Sequence, residues 1–147
     1  MKDKIPKTVM AIGVFFVFSL SAQAQIIRAD DILGKWVTAD NSMEVTIYKS
    51  IYFYYGKITA VNGEQYDVNN PDESSKDKPL LNLVTLQEIK YDRQEESWAG
   101  GTLYDPRDGK TYRCHISFFS SNKRELKVRT FMPFSLKSRI QRWTKAD

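Results

Sequence analysis

The sequence predicts an all-β protein: an eight-stranded antiparallel up-and-down barrel with one long loop carrying a short helix. Three observations predict it. Short stretches in which apolar and polar residues alternate recur along the chain, separated by turn residues. One hairpin, Trp98 to Cys114, specifies its own turn and register. Tyr and Phe, eight of each, favour strands over helices. Eight meandering strands with hairpin-length links close into a barrel that holds side chains or one small ligand.

The first residues stand apart from the fold. Lys2, Lys4 and Lys7 make a positive start, Val9 to Leu20 is apolar, and Ser21-Ala22-Gln23-Ala24 offers small residues where a signal peptidase reads. A membrane span needs about 20 apolar residues, so no stable transmembrane span is expected. Residues 1–24 therefore read as a signal peptide and residues 25–147 as a single domain, enough chain for one core. No cysteine follows the apolar run, which excludes a lipid anchor there. The lone Cys114 rules out an intramolecular disulfide, so packing must stabilise the fold.

In order, Ile26 to Leu33 suggests a short turn leading into the sheet, and Gly34 to Thr38 a first strand. Met43 to Tyr48 alternates, with Met43, Val45 and Ile47 on one face, and Tyr52 to Val61 returns as a long aromatic strand. Gly56 within it predicts a bulge or sharp bend. Residues 62–80 form the one long connection. There Asn70 reads as an N-cap, Pro71 as the first helical residue and Asp72-Glu73 as first-turn acids. Leu83 to Tyr91, the two hairpin strands, Arg124 to Phe131 and Arg139 to Lys145 complete the eight.

The hairpin turn follows from its residues. Pro106 presets φ, Asp105 accepts backbone N–H groups across the turn, and Gly109 supplies a positive φ. Asp105 then faces Lys110, Leu103 faces Tyr112, Gly101 faces Cys114 and Ala99 faces Ile116. That face is apolar. The other carries Tyr104, Thr111, Thr102, Arg113, His115, Trp98 and Ser117, and is wettable.

No catalytic set emerges. The single histidine, His115, adjoins Cys114 in sequence, but successive strand residues point to opposite faces. Asp67, Asn69, Asp72 and Glu73 lack the glycine and distal glutamate of a calcium loop, and capping chemistry accounts for them. No glycine loop opens a helix to cradle phosphate. No metal, no cofactor and no nucleic-acid partner is expected. The net charge is +4, and basic residues crowd the segment from Lys123 onward, including Lys127, Arg129, Lys137, Arg139 and Arg142. They read either as a solvated outer face or as a surface for an anionic envelope component.

Several segments carry a resemblance: Gly34-Lys35-Trp36-Val37-Thr38, Tyr55-Gly56-Lys57-Ile58, Asn69-Asn70-Pro71-Asp72, Pro79-Leu80-Leu81-Asn82-Leu83, Gly100 to Pro106 with Gly109 to Cys114, and Leu126-Lys127-Val128-Arg129. In this order they resemble the bacterial domain of unknown function 2147 family over nearly all of residues 25–147. The resemblance implies a lipocalin-like barrel exported to the periplasm of a Gram-negative bacterium, and no defined activity. Thr130-Phe131 stands where that family has a glycine–aromatic pair, and Leu136-Lys137-Ser138-Arg139 where it often has leucine-glycine-arginine. Both departures touch the last connection. Gly34-x-Trp36 is also similar to the first strand of lipocalins, in which case Arg139 or Arg142 would lie over Trp36.

Two functions follow. A small, mostly apolar ligand would sit among Tyr54, Leu103, Tyr112 and Cys114, with Gly101 leaving space and Arg139 meeting an acidic head. Alternatively the barrel is filled, and the protein is a non-enzymatic envelope interaction module using its basic outer face.

Overall fold

The computed structural model describes residues 25–147. The signal peptide expected over residues 1–24 lies outside the described residues. Eight strands run in chain order: β1 Gly34–Val37, β2 Met43–Ser50, β3 Phe53–Val61, β4 Val84–Asp92, β5 Ser97–Asp105, β6 Lys110–Phe118, β7 Glu125–Phe131 and β8 Ser138–Lys145. Each pairs antiparallel with its neighbour, and β1 meets β8 through Trp36↔Lys145 and Val37↔Thr144. The barrel is closed.

Alternation decides which side chains enter. Met43, Val45 and Ile47 of β2 and Leu126, Val128 and Thr130 of β7 are buried, while Lys127 and Arg129 between them face out. The core is aromatic. The Trp98 ring meets Phe118 edge-on with centroids 5.5 Å apart, and Phe118 lies 6.1 Å from Trp36. Ile58, Leu86, Ile89 and Ile116 fill the space around them and are wholly buried. At Gly56 a Cβ would come within 2.9 Å of Leu86 and Val45, and the β3–β4 register shifts there, as the expected bend requires.

The hairpin register holds from Asp105↔Lys110 to Thr102↔Arg113 and then slips. Ala99 faces His115, and Trp98 rather than Ala99 faces Ile116. The reason is a bulge at Gly100, whose φ of +83° suits glycine alone. One extra residue exchanges the two faces. Trp98, expected on the wettable side, is therefore fully buried.

The bulge also corrects the reading of Gly101. A Cβ there would lie 2.0 Å from the Gln87 carbonyl oxygen and 2.7 Å from Ile89 Cδ1. The β4 backbone already occupies the space that Gly101 was expected to leave for a ligand. Glycine is needed for this close approach.

The long connection holds one 3-10 turn, Glu73–Ser75. Its N-cap is Asp72, whose side chain accepts from the Ser74 amide, while the Asn70 side chain accepts from the Asp72 amide at 2.9 Å. The cap thus sits two residues later than the sequence suggested, because Asn70 makes a turn of its own. A second 3-10 turn, Ala29–Ile32, precedes β1. Among the described residues no helix is long and apolar enough to cross a membrane.

These two turns belong to opposite ends of the barrel. Ala29–Ile32 plugs the end where β1 begins. Wholly buried Ile32 enters the core, the Trp36 and Trp98 indoles donate to the Ile32 and Ala29 carbonyls at 2.8 and 3.0 Å, and the Tyr91 hydroxyl donates to Ile27 at 2.6 Å. Residues 62–83 cover the other end. Leu80 is buried there, Asn69 Nδ2 donates to the Pro106 and Arg107 carbonyls at 3.1 Å, and the Tyr104 hydroxyl donates to Asp67 at 2.8 Å.

Candidate functional site at the charged end of the barrel

Beneath residues 62–83 a charge network centred on buried Asp105 spans the rim. Asp105 ends β5 with the same inward parity as Leu103, and only 4% of it is exposed. Arg107, two residues on in the turn, folds back over it. Its Nε donates to Asp105 Oδ1 at 2.8 Å and its Nη2 to Oδ2 at 2.7 Å, a two-point grip. Arg107 Nη1 reaches Asp40 in the β1–β2 turn at 2.8 Å, and Nη2 also donates to Gln141 of β8 at 3.1 Å. From β8, Arg139 Nη2 donates to Asp105 Oδ2 at 3.0 Å. Two carboxylates and two guanidiniums tie β1, β5 and β8 together.

The charges respond as expected. Burial pushes the Asp105 carboxyl up, yet the bonds and charges of Arg107 and Arg139 hold it below the usual carboxylate range. Asp40 is likewise held well down: its bonds to Ser42, Thr38 and Arg107 outweigh its burial. The bond to Asp108, with burial, pushes the Tyr112 phenol up to about 12. Among the described residues one buried side-chain polar atom lacks a partner, Arg139 Nε. It is an N–H donor shut off from water.

Below the network the barrel is nearly full. A void of about 10 Å³ lies between Met43, Val45, Leu103 and Trp143, with Pro106 and Arg107 as its lid. A cleft of about 90 Å³ opens on the other side of that lid, lined by Met43, Val61, Tyr66 and Leu80. Met43, Pro106 and Arg107 are the wall common to both.

The ligand-site residues expected from sequence do not form one pocket. Leu103 lines the small void, and Tyr112 and Arg139 meet as ring and cation 5.7 Å apart. Cys114 is buried, its Sγ 4.0 Å from the Gly101 carbonyl, and burial pushes its thiol up to about 12. Tyr54 belongs to the opposite end, where its hydroxyl donates to Asp30 at 2.6 Å. Gly101 is packed against β4. Arg139, expected to meet a ligand's acid or to lie over Trp36, pairs with Asp105 at 3.0 Å, and it is Lys145, paired with Trp36 across the seam, that lies 5.3 Å over that indole. Arg142 faces outward, over Phe119 at 4.4 Å.

The network residues Asp40, Asp105, Arg107 and Gln141 were missed as a set. Asp105 looked like turn chemistry alone, and it does accept the Arg107 amide at 3.0 Å. Its parity with Leu103 was the signal that it also points inward. The acids of the long loop have structural duties: Asp67 accepts from Tyr104 and Asn70, and Asp72 caps a turn. His115 donates to or accepts from Ser97 at 3.0 Å on the outer face, away from Cys114.

Known proteins place this geometry. A solved lipocalin-family protein from Helicobacter pylori superposes with a TM-score of 0.65, covering 78% of this chain and 82% of that one at 18% identity. The likeness shows a lipocalin-like fold. A lon protease homolog of Thermoplasma volcanium is 33% identical over 87 residues, 54% of this chain. The chain spans 17% of that protein's length, so the protease activity stays with that protein. The family model for uncharacterized proteins conserved in bacteria, DUF2147, matches residues 34–145, the whole span from the first residue of β1 to the last of β8. The chain belongs to the DUF2147 family.

Proposed function

We propose that this barrel binds a small, mostly apolar ligand at its charged end, beneath residues 62–83, rather than deep in a hollow core. One observation carries the reading: Arg107 and Pro106 form a partition between the outer cleft and the inner void. Arg107 hangs on polar bonds to Asp105, Asp40 and Gln141, and its side chain is 36% exposed. A swing of that one side chain joins the two spaces into a slot floored by Leu103 and Trp143 and flanked by Met43 and Leu80. A neutral ligand suits the slot better than an acid, because the carboxylates and guanidiniums above it already balance.

The test is retention of an apolar fluorescent probe. Arg107→Ala, which removes the partition, should bind it several-fold tighter than the unmodified protein, and Leu103→Trp, which fills the slot, should bind it several-fold weaker. Native mass spectrometry of the unmodified protein should show a co-purified small molecule. No probe retained by any of the three, with no co-purified mass, would refute the reading. The same proposal includes export to the periplasm, supported by the basic start, apolar run and Ala-Gln-Ala end of residues 1–24. The mass of the mature protein, beginning at Gln25 or close by, checks that part.

A further inference from the structure

The β7–β8 connection carries apolar side chains that the barrel does not use. Phe134 and Leu136 are fully exposed, and Ile140, at the start of β8, is about half exposed. Phe134 holds a φ of 55°, a left-handed conformation that a bulky residue adopts against strain. No packing against the core offsets that strain. The connection leans over the outer face of β6 and encloses a groove of about 490 Å³, whose walls include Arg113, Phe131, Met132, Phe134 and Leu136.

Cations surround this tip. The register sets Arg113 beside Phe131 and Arg129 beside Ile140, facing outward, and Lys137 lies in the connection itself; Lys127 and Arg142, one row further from the tip, lie over Phe119 at 5.9 and 4.4 Å. Basic residues scattered in sequence thus become one patch in space. Among the described residues Arg113, Lys127, Arg129 and Lys137 make no ion pair, and only Arg142 has a carboxylate, Glu125 at 3.3 Å. The His115 imidazole, cross-strand from Arg129, is held below its ordinary range by burial and then by the Arg129 charge, with Glu95 opposing and Lys127 adding. The far end offers a contrast. Ile51 and Tyr52 are also exposed, but their neighbour Lys49 is engaged by Asp30 at 3.0 Å. Apolar exposure and free positive charge coincide at the β7–β8 tip.

We propose that this tip docks the protein on the surface of an anionic phospholipid bilayer. Phe134 and Leu136 enter the boundary between headgroups and acyl chains, and Arg113, Arg129 and Lys137 meet lipid phosphates. A loop with two large apolar side chains binds a bilayer weakly by itself, and cations supply the second signal that holds it there. Each cation close to an anionic lipid surface raises affinity about fivefold. The groove beside Arg113 gives one headgroup a seat. The surface lies outside the barrel, so its occupancy is independent of any ligand beneath residues 62–83.

Sedimentation with vesicles tests it. The protein should pellet with phosphatidylglycerol–phosphatidylcholine vesicles at low salt, weaken as salt rises, and ignore pure phosphatidylcholine. The pair Phe134→Ser and Leu136→Ser should weaken binding at least tenfold with melting unchanged, and Arg113→Gln with Arg129→Gln about twenty-fivefold. Phe134→Trp should add indole emission that shifts to the blue with anionic vesicles and stays put with a soluble polyanion. No sedimentation at any salt would overturn the proposal. So would sedimentation that the Phe134→Ser, Leu136→Ser pair leaves unchanged, which would assign the patch to a soluble or polymeric anion.

Discussion

The two ends of the barrel are closed by different physics. At the β1 end, three aromatic side chains from β1, β4 and β5 donate to backbone carbonyls around one short turn, and wholly buried Ile32 fills the opening. At the other end, two arginines and two carboxylates hold each other across the rim under a long loop. Neutral bonds to backbone oxygens behind packed rings do not depend on pH or salt. A charge network gains its strength from partners that must stay ionised, and it loses that strength when water or a competing group reaches in. The first end is a floor; the second is the end that can open.

Removing an anchor of the floor should cost most. Trp98→Ala deletes a wholly buried indole and its bond to Ala29, and should destabilise the fold by about 3–5 kcal/mol in urea unfolding. A cost under about 1 kcal/mol would mean that the turn seals nothing. Asp105→Asn strikes the other end. It leaves two guanidiniums facing each other without their shared carboxylate, and about 2–4 kcal/mol should be lost, towards the low side because both arginines reach solvent. Hydrogen exchange should rise around Asp105 and residues 62–83 and stay slow around Trp36. Equal acceleration at both ends would erase the distinction.

Acid should mimic that variant more gently. Asp105 and Asp40 are held below their ordinary range, so their contribution is complete above about pH 4 and is lost as pH falls towards their lowered values. Unfolding midpoints should therefore drop below pH 4 by more in the unmodified protein than in Asp105→Asn. The floor turn has acids held down too, Asp30 by Tyr54 and Lys49 and Asp31, against its burial, by Lys123 at 2.6 Å; the Asp30–Lys49 pair is exposed and screened, and neither acid is as buried as Asp105. Smallest is Tyr54→Phe, which removes only the 2.6 Å bond to Asp30 and should cost about 1–2 kcal/mol. Cys114 reports which end has moved: a thiol reagent should label it faster in Asp105→Asn and no faster in Tyr54→Phe.

The asymmetry also explains what was legible in the sequence. Strands were legible because inward positions are apolar at period two, as in Met43-Val45-Ile47 and Leu126-Val128. Turn chemistry gave the Asp105–Lys110 register. The face of Trp98 was not legible, because Gly100-Gly101 reads equally as two strand residues or as a bulge, and only the β4 backbone pressing on Gly101 decides between them. The charged end was hidden for another reason. Asp40, Asp105, Arg107 and Gln141 come from three parts of the chain, and each alone resembles turn or surface chemistry. Their meeting is a property of closure.

That closure rests on a short seam. β1 and β8 share two paired positions, Trp36↔Lys145 and Val37↔Thr144, contributed by residues about 110 apart in the chain. Every other pairing joins strands adjacent in the chain. β1 has β2 beside it in sequence, but its second edge is covered only by the far end of β8. Without that pairing the eight strands would form an open sheet with β1 and β8 as its two edges. Topology imposes the order of closure: until β8 meets β1 the sheet keeps two edges, and that one short pairing leaves a surface with none.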